Sequence, residues 1–131
     1  MTEPWNLWRR LIIVRAVITG PTGEFNAQMA VDTGASATLV EERVLRSIGY
    51  VPSESDDQVE VVDARGVKSS GRLTVSHIAA LGVEWQNYLV VYDTLPAELG
   101  IDGLLGLNFF LRRKLIVDFD AETITVESKY G

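Results

Sequence analysis

From Glu24 to Asp32 the side chains alternate in character, with Phe25, Ala27, Met29 and Val31 on one face and Asn26, Gln28, Ala30 and Asp32 on the other. A period of two is the mark of a strand with one buried face, and it places Asp32 where that strand runs out. Residues 10–18 are apolar and β-branched, and Gly20-Pro21-Thr22-Gly23 is a turn signal, so the two runs are expected to form a hairpin. Further on, residues 38–40 suit a short strand. Residues 41–50 suit a helix with Glu41 and Glu42 in its first turn, Val44, Leu45 and Ile48 as its apolar face and Gly49 as its stop. Residues 58–63 and 67–78 predict a long hairpin with its tip near Ala64, Arg65 and Gly66, and residues 85–92 predict another strand after the turn that begins at Ala80. Asn108 is a candidate N-cap for a short helix over 109–113, and a last hairpin is expected around 120–123. Many short strands, two short helices and no repeat define an all-β class, a sandwich or barrel-like bundle.

Composition narrows the chemistry. The 131 residues are expected to be a single domain, with about the first ten as an N-terminal extension; a chain of this size buries roughly two-thirds of its unfolded surface without staples. Cysteine is absent and His77 is the only histidine, which excludes disulfide frameworks, thiol nucleophiles and Cys/His metal sites. No metal or cofactor is expected. A net charge of -6 with no basic stripe argues against nucleic acid. Arg9, Arg10 and Arg15 interrupt the N-terminal apolar residues before they reach the length of a span or signal core, so a soluble, cytoplasmic domain without membrane contact is expected.

Asp32-Thr33-Gly34-Ala35-Ser36 closes an apolar strand, a glycine-tipped hairpin follows, and Leu104-Leu105-Gly106-Leu107-Asn108 comes later. An Asp-Thr-Gly alone is usually a turn. The ordered pair of motifs, without a second Asp-Thr-Gly, resembles the retropepsin-like aspartic proteases over about residues 12–126. The resemblance implies a closed β-barrel or sandwich forming half of an aspartic protease, and a homodimer in which two copies of Asp32 activate a water to hydrolyse a peptide or protein substrate.

It also implies roles. Gly34 would turn an N–H toward the carboxylate, Thr33 would reach across the dimer axis, and Ala35 would keep the cleft floor low beside Ser36. Gly106 and Asn108 would be structural, Leu105 a pocket wall, and the hairpin over 59–72, with Ala64, Arg65 and Gly66 at its tip, a flap over the substrate. Ser36 and Leu107 stand where the viral enzymes carry an aspartate and an arginine, so the ion pair that braces those enzymes is missing here.

Other readings remain beside this one. A non-catalytic dimeric module with a protease-like fold would keep the same cleft to bind peptides, and an unrelated small β-barrel would require the motif pair to be coincidence. Ser36 is not read as a nucleophile, because residues 34–38 do not form a nucleophile elbow and His77 lies in phase with Leu73 and Val75 on a strand. Asp118 and Asp120 are read as turn or solvated residues, and Asp102 as shaping the approach to the Leu-Leu-Gly turn. Trp5 and Trp8 suit either a core edge or a dimer interface.

Overall fold

The computed structural model describes residues 1–5, 11–52, 58–63 and 66–128, with backbone alone for 58, 59, 61–63, 68 and 69. Its strands are β1 (Thr2–Pro4), β2 (Ile13–Gly20), β3 (Gly23–Val31), β4 (Leu39–Glu41), β5 (Gln58–Asp63), β6 (Gly66–Ala80), β7 (Val83–Asp93), β8 (Gly103–Leu105), β9 (Arg113–Asp118) and β10 (Thr123–Ser128). One α-helix, α1 (Glu42–Ser47), and 3-10 turns at Ala97–Leu99 and Leu107–Phe110 complete the described elements.

The hairpin of β2 and β3 pairs Gly20 with Gly23 across the expected turn. From it the sheet runs β2-β3-β8-β4-β7-β6, and a further β2–β6 pairing closes these six strands into a barrel. β5 stands outside the closure, joined to β6 from Asp63↔Gly66 to Gln58↔Gly71. Gly71 lies where that hairpin leaves the barrel, and a Cβ there would come within 2.4 Å of the Tyr92 hydroxyl oxygen. Leu81 and Gly82 both adopt positive φ (54° and 78°), which makes the β6–β7 turn tight and lets both strands run longer than their apolar residues suggested.

Alternation decides what fills the barrel. Val14, Ala16 and Ile18 of β2 point inward with Ala27 and Met29 of β3, and they meet Val40, Val75, Ile78, Val90, Leu105 and Phe109. Phe25 and Val31 pack against the same core at lower burial, so the expected apolar face of β3 is the buried one. α1 closes one side with Val44, Leu45 and Ile48. Gly49 follows at φ +100°, and its N–H donates to the Arg46 carbonyl at 3.2 Å.

β1, β10 and β9 form a separate three-stranded sheet. Residues 1–10 were expected only as an extension, yet Thr2–Pro4 is an edge strand paired with β10. Three residues ending in proline carry no alternation to announce this, although an edge is where a strand tolerates proline. Trp5 covers a core edge: it is 9% exposed, donates from Nε1 to the Thr123 carbonyl at 3.1 Å and meets Phe119 edge-on. Trp8 lies outside the described residues.

A second correction concerns Asn108, which is no N-cap. The 3-10 turn Leu107–Phe110 is preceded by the extended Gly106, and Asn108 sits inside it with its side-chain carbonyl accepting from Thr38 and Tyr88. The Phe109 N–H is bonded to the Gly106 carbonyl at 3.0 Å, and the two hydroxyls take the Asn108 oxygen that a cap would have offered. Among the described residues no helix is long and apolar enough to cross a membrane.

β8 is wedged between β3, to which it is parallel, and β4, to which it is antiparallel. The fit leaves no room for a side chain at Gly103, where a Cβ would lie 2.2 Å from the Leu39 carbonyl oxygen. Gly103→Ala is therefore expected to lower stability at the upper end of the roughly 1–3 kcal/mol typical of overpacking, read as a lower urea midpoint with an unchanged slope.

Candidate active site

Asp32 follows directly on β3, half-buried, with Thr33, Gly34 and Ser36 exposed and Ala35 buried. The loop is pinned at successive points. The Asp32 N–H donates to the Leu105 carbonyl at 2.9 Å, the Ala35 N–H to the Asp32 carbonyl at 3.2 Å, and the Leu107 N–H to the Ala35 carbonyl at 2.9 Å. The Gly34 N–H reaches back to Asp32 Oδ1 at 2.9 Å, as expected of the glycine. A Cβ on Gly34 would sit 3.2 Å from that oxygen, tight enough to push the carboxylate. The motif at 32–36 and the motif at 104–108 are thus brought together by main-chain bonds.

Beneath them is a triangle of side chains. Thr38 donates to Asn108 Oδ1 at 2.9 Å, Tyr88 donates to the same oxygen at 2.8 Å, and the two hydroxyls lie 3.0 Å apart. Thr38 Oγ1 also accepts the Gly106 N–H at 3.3 Å. Gly106 has no space for a Cβ, which would lie 2.3 Å from the Ala37 carbonyl oxygen. Burial pushes the Tyr88 phenol up to about 12, against a smaller lowering by Thr38. Trp85 and Phe109 brace the Tyr88 ring. Asn108 and Gly106 thus bond into this triangle together with Thr38 and Tyr88, which were not singled out by sequence. A threonine six residues beyond Asp32 and a tyrosine in an alternating strand give no local sign of meeting.

Leu105 corrects another expectation. It is fully buried in the barrel core, so it cannot wall an open pocket. Its neighbour Leu104 faces the other way. The strand registers run Ile13↔Ala30, Ala30↔Leu104, Leu104↔Leu39 and Leu39↔Val91, which lays an apolar row across the outside of five strands. Ala30 shares a strand face with Asp32. Ile13, Ala37 and Leu104 are half-buried along this row, and Leu95 and Ile101 pack over it from the segment between β7 and β8. Ala64 and Arg65 lie outside the described residues; Gly66 opens β6 at φ +122° opposite Asp63.

On the side of the row away from Asp32, two residues along the chain from Leu104 and Leu39, Arg43 of α1 binds Asp102 at 2.5 Å and Glu41 at 3.2 Å. The hydrogen bond to Asp102 raises the Arg43 pKa above its ordinary value against a smaller desolvation effect. Asp102 Oδ2 also accepts the Gln28 N–H at 2.8 Å, which fixes the approach to β8 as its sequence position suggested. His77 lies on β6 opposite Thr19 and Gln86, half-buried and 4.0 Å from Glu84. Asp118 Oδ1 accepts the N–H groups of Asp120 and Ala121 in the β9–β10 turn. Among the described residues no group of three or more His, Asp or Glu side chains is placed to hold a metal ion.

The family model described as "gag-polyprotein putative aspartyl protease" matches residues 19–112. The chain belongs to that family. No curated protein sequence matches it. Among solved structures it is similar to a retropepsin-like aspartic protease from Rickettsia conorii, with TM-score 0.67, 16% identity, and coverage of 96% of this chain and 87% of that one. It is also similar to the retroviral protease-like domain of Ddi1 from Leishmania major, with TM-score 0.53, 16% identity, and coverage of 89% and 88%. The fold is retropepsin-like, as the motif pair implied.

Thr38→Val leaves the buried Gly106 N–H without its acceptor and is expected to cost about 1–3 kcal/mol, whereas Tyr88→Phe, which removes a hydroxyl alone, should cost about 0.5–1.5 kcal/mol. Chemical denaturation ranks the two. The folded-state Tyr88 pKa lies above its ordinary 10.0, so the neutral phenol favours folding; this contribution is complete below pH 10.0 and is lost as pH rises toward about 12. Tyr88→Phe should flatten the fall in stability across that window.

Proposed function

We propose that the protein is an aspartic endopeptidase that works as a homodimer. The observation that carries this is Asp32 itself: one carboxylate, fixed by the Gly34 N–H in a loop bonded to the Leu-Leu-Gly segment, on a half-buried edge with exposed residues beside it. A single carboxylate does half of the chemistry. A twofold axis beside the loop sets Asp32 against its copy, and two adjacent carboxylates share one proton because their charges repel; the general pattern for aspartic proteases is a worked example of pKa splitting. The ionised Asp32 takes a proton from the bound water as its oxygen attacks the scissile carbonyl, and the protonated copy donates to the carbonyl oxygen. Collapse of the tetrahedral intermediate then breaks the C–N bond, with a proton delivered to the departing amine.

The other residues have parts in the same reading. Thr33 is exposed next to Asp32, where its hydroxyl can bond the partner's loop across the axis. Ala35 is the low floor and Ser36 the exposed rim. The β5–β6 hairpin covers an extended peptide held by strand-like backbone bonds, and Ala64, Arg65 and Gly66 take part in binding it. Apolar substrate side chains flanking the scissile bond would lie along the half-buried part of the row, at Ile13, Ala37 and Leu104. The setting is cytoplasmic, with no cofactor, nucleic acid or membrane involved.

Asp32→Asn keeps the shape and removes the acid, so cleavage of a mixed peptide library should be abolished with the melting temperature preserved. Activity against pH should be bell-shaped, since only the singly protonated pair is competent. Specific activity per chain should fall on dilution in step with dimer dissociation followed by sedimentation. An active monomer would refute the shared site, and a stable dimer that binds peptides without cutting them would establish the binding-module reading instead.

A further inference from the structure

The Arg43 cluster has a feature that a surface ion pair lacks. Arg43 is 56% exposed, but the two acids it joins are nearly buried, with side chains 12% exposed at Glu41 and 15% at Asp102. Each acid spends its other oxygen on backbone: Glu41 Oε1 accepts the Leu95 N–H at 3.3 Å and Asp102 Oδ2 accepts the Gln28 N–H at 2.8 Å. The main chains join as well, with the Glu41 N–H on the Asp102 carbonyl at 3.0 Å and the Asp102 N–H on the Gln28 carbonyl at 2.8 Å. The segment 94–102 is therefore fastened near both ends, at Leu95 by the Glu41 carboxylate and at Asp102 by its own carboxylate on Gln28, and the two carboxylates repel each other unless the guanidinium lies between them.

What this segment carries gives the fastening its consequence. Leu95 and Ile101 are buried against Ala30, Leu39 and Val91, and Leu104 packs on the same cluster from the strand that follows Asp102. Leu95 and Ile101 thus form the wall that fixes how much of the apolar row stays open beside Leu104. We propose that Arg43 is a positioning residue for substrate selection: by bridging Glu41 and Asp102 it holds the 94–102 segment at the spacing that matches one size of apolar substrate side chain. The selection role rests on the peptidase reading; the clamp itself does not.

Two readouts separate those levels. Amide hydrogen exchange at Leu95 reports the clamp without any activity: Arg43→Met should accelerate it by about tenfold, with the β2–β3 amides other than that of Gln28 unchanged. Adding Glu41→Gln to that variant removes the repulsion and should slow the exchange again. Competition between peptides carrying Leu or Ala next to the scissile bond reports selection, and Arg43→Met should reduce the ratio of their kcat/KM values by roughly fivefold or more. Unchanged Leu95 exchange, or no slowing in the double variant, would overturn the charge clamp. Faster exchange with an unchanged Leu/Ala ratio would overturn its role in selection. If the wild-type protein cuts neither peptide, the peptidase reading and the selection role fall together, and the exchange data alone decide the clamp.

Discussion

The closeness of β8 to its neighbours governs the rest of the molecule. Gly103 lies against the Leu39 carbonyl and Gly106 against the Ala37 carbonyl, each at a distance where a side chain cannot stand. That approach lets a three-residue strand pair with β3 on one side and β4 on the other, and so completes the barrel. It also puts the Leu105 carbonyl under the Asp32 N–H and the Leu107 N–H under the Ala35 carbonyl. One tight contact thus closes the core and fixes the carboxylate.

Support for this contact is layered. Thr38 accepts from Gly106 and donates to Asn108, so the wedge is tied sideways to β7 through Tyr88. Each bond contributes about 1 kcal/mol on its own, yet the groups are buried or part-buried, and losing one strands its partner away from water. Asp102, just ahead of Gly103, is tied to Gln28 and Arg43. The strand is therefore held in register at both ends by polar side chains, and the glycines at 103 and 106 let it sit against Leu39 and Ala37.

Much of the barrel was legible because its determinants are local. The alternation over residues 24–31, the glycines at 20 and 23 and the stop at Gly49 each act within a few residues, and the structure has strands and a helix where those patterns lay. The motif pair at 32–36 and 104–108 was legible as two fragments, and their junction is made by backbone groups that any sequence possesses. What escaped notice depends on distant partners. Thr2–Pro4 is a strand only because β10 accepts it. Asn108 has the composition of a cap, but two distant hydroxyls claim it. Choosing between Leu104 and Leu105 required knowing which face of β8 meets the core, and three residues bounded by glycines are too short for alternation to show it.

The β5–β6 hairpin has a mechanical consequence. β6 is held by β7 from Gly71 onward and by β2 over its last four residues, 77–80. Among the described residues, 66–70 pair with β5 alone. The barrel ladder and the 66–70 pairing accordingly meet at Gly71, and beyond it the Ser70 hydroxyl reaches Asp93 of β7 at 3.4 Å. Changes in β5 therefore leave the ladder beneath Asp32 unaltered, and changes in β3, β8 and β4 leave the β5–β6 pairing unaltered.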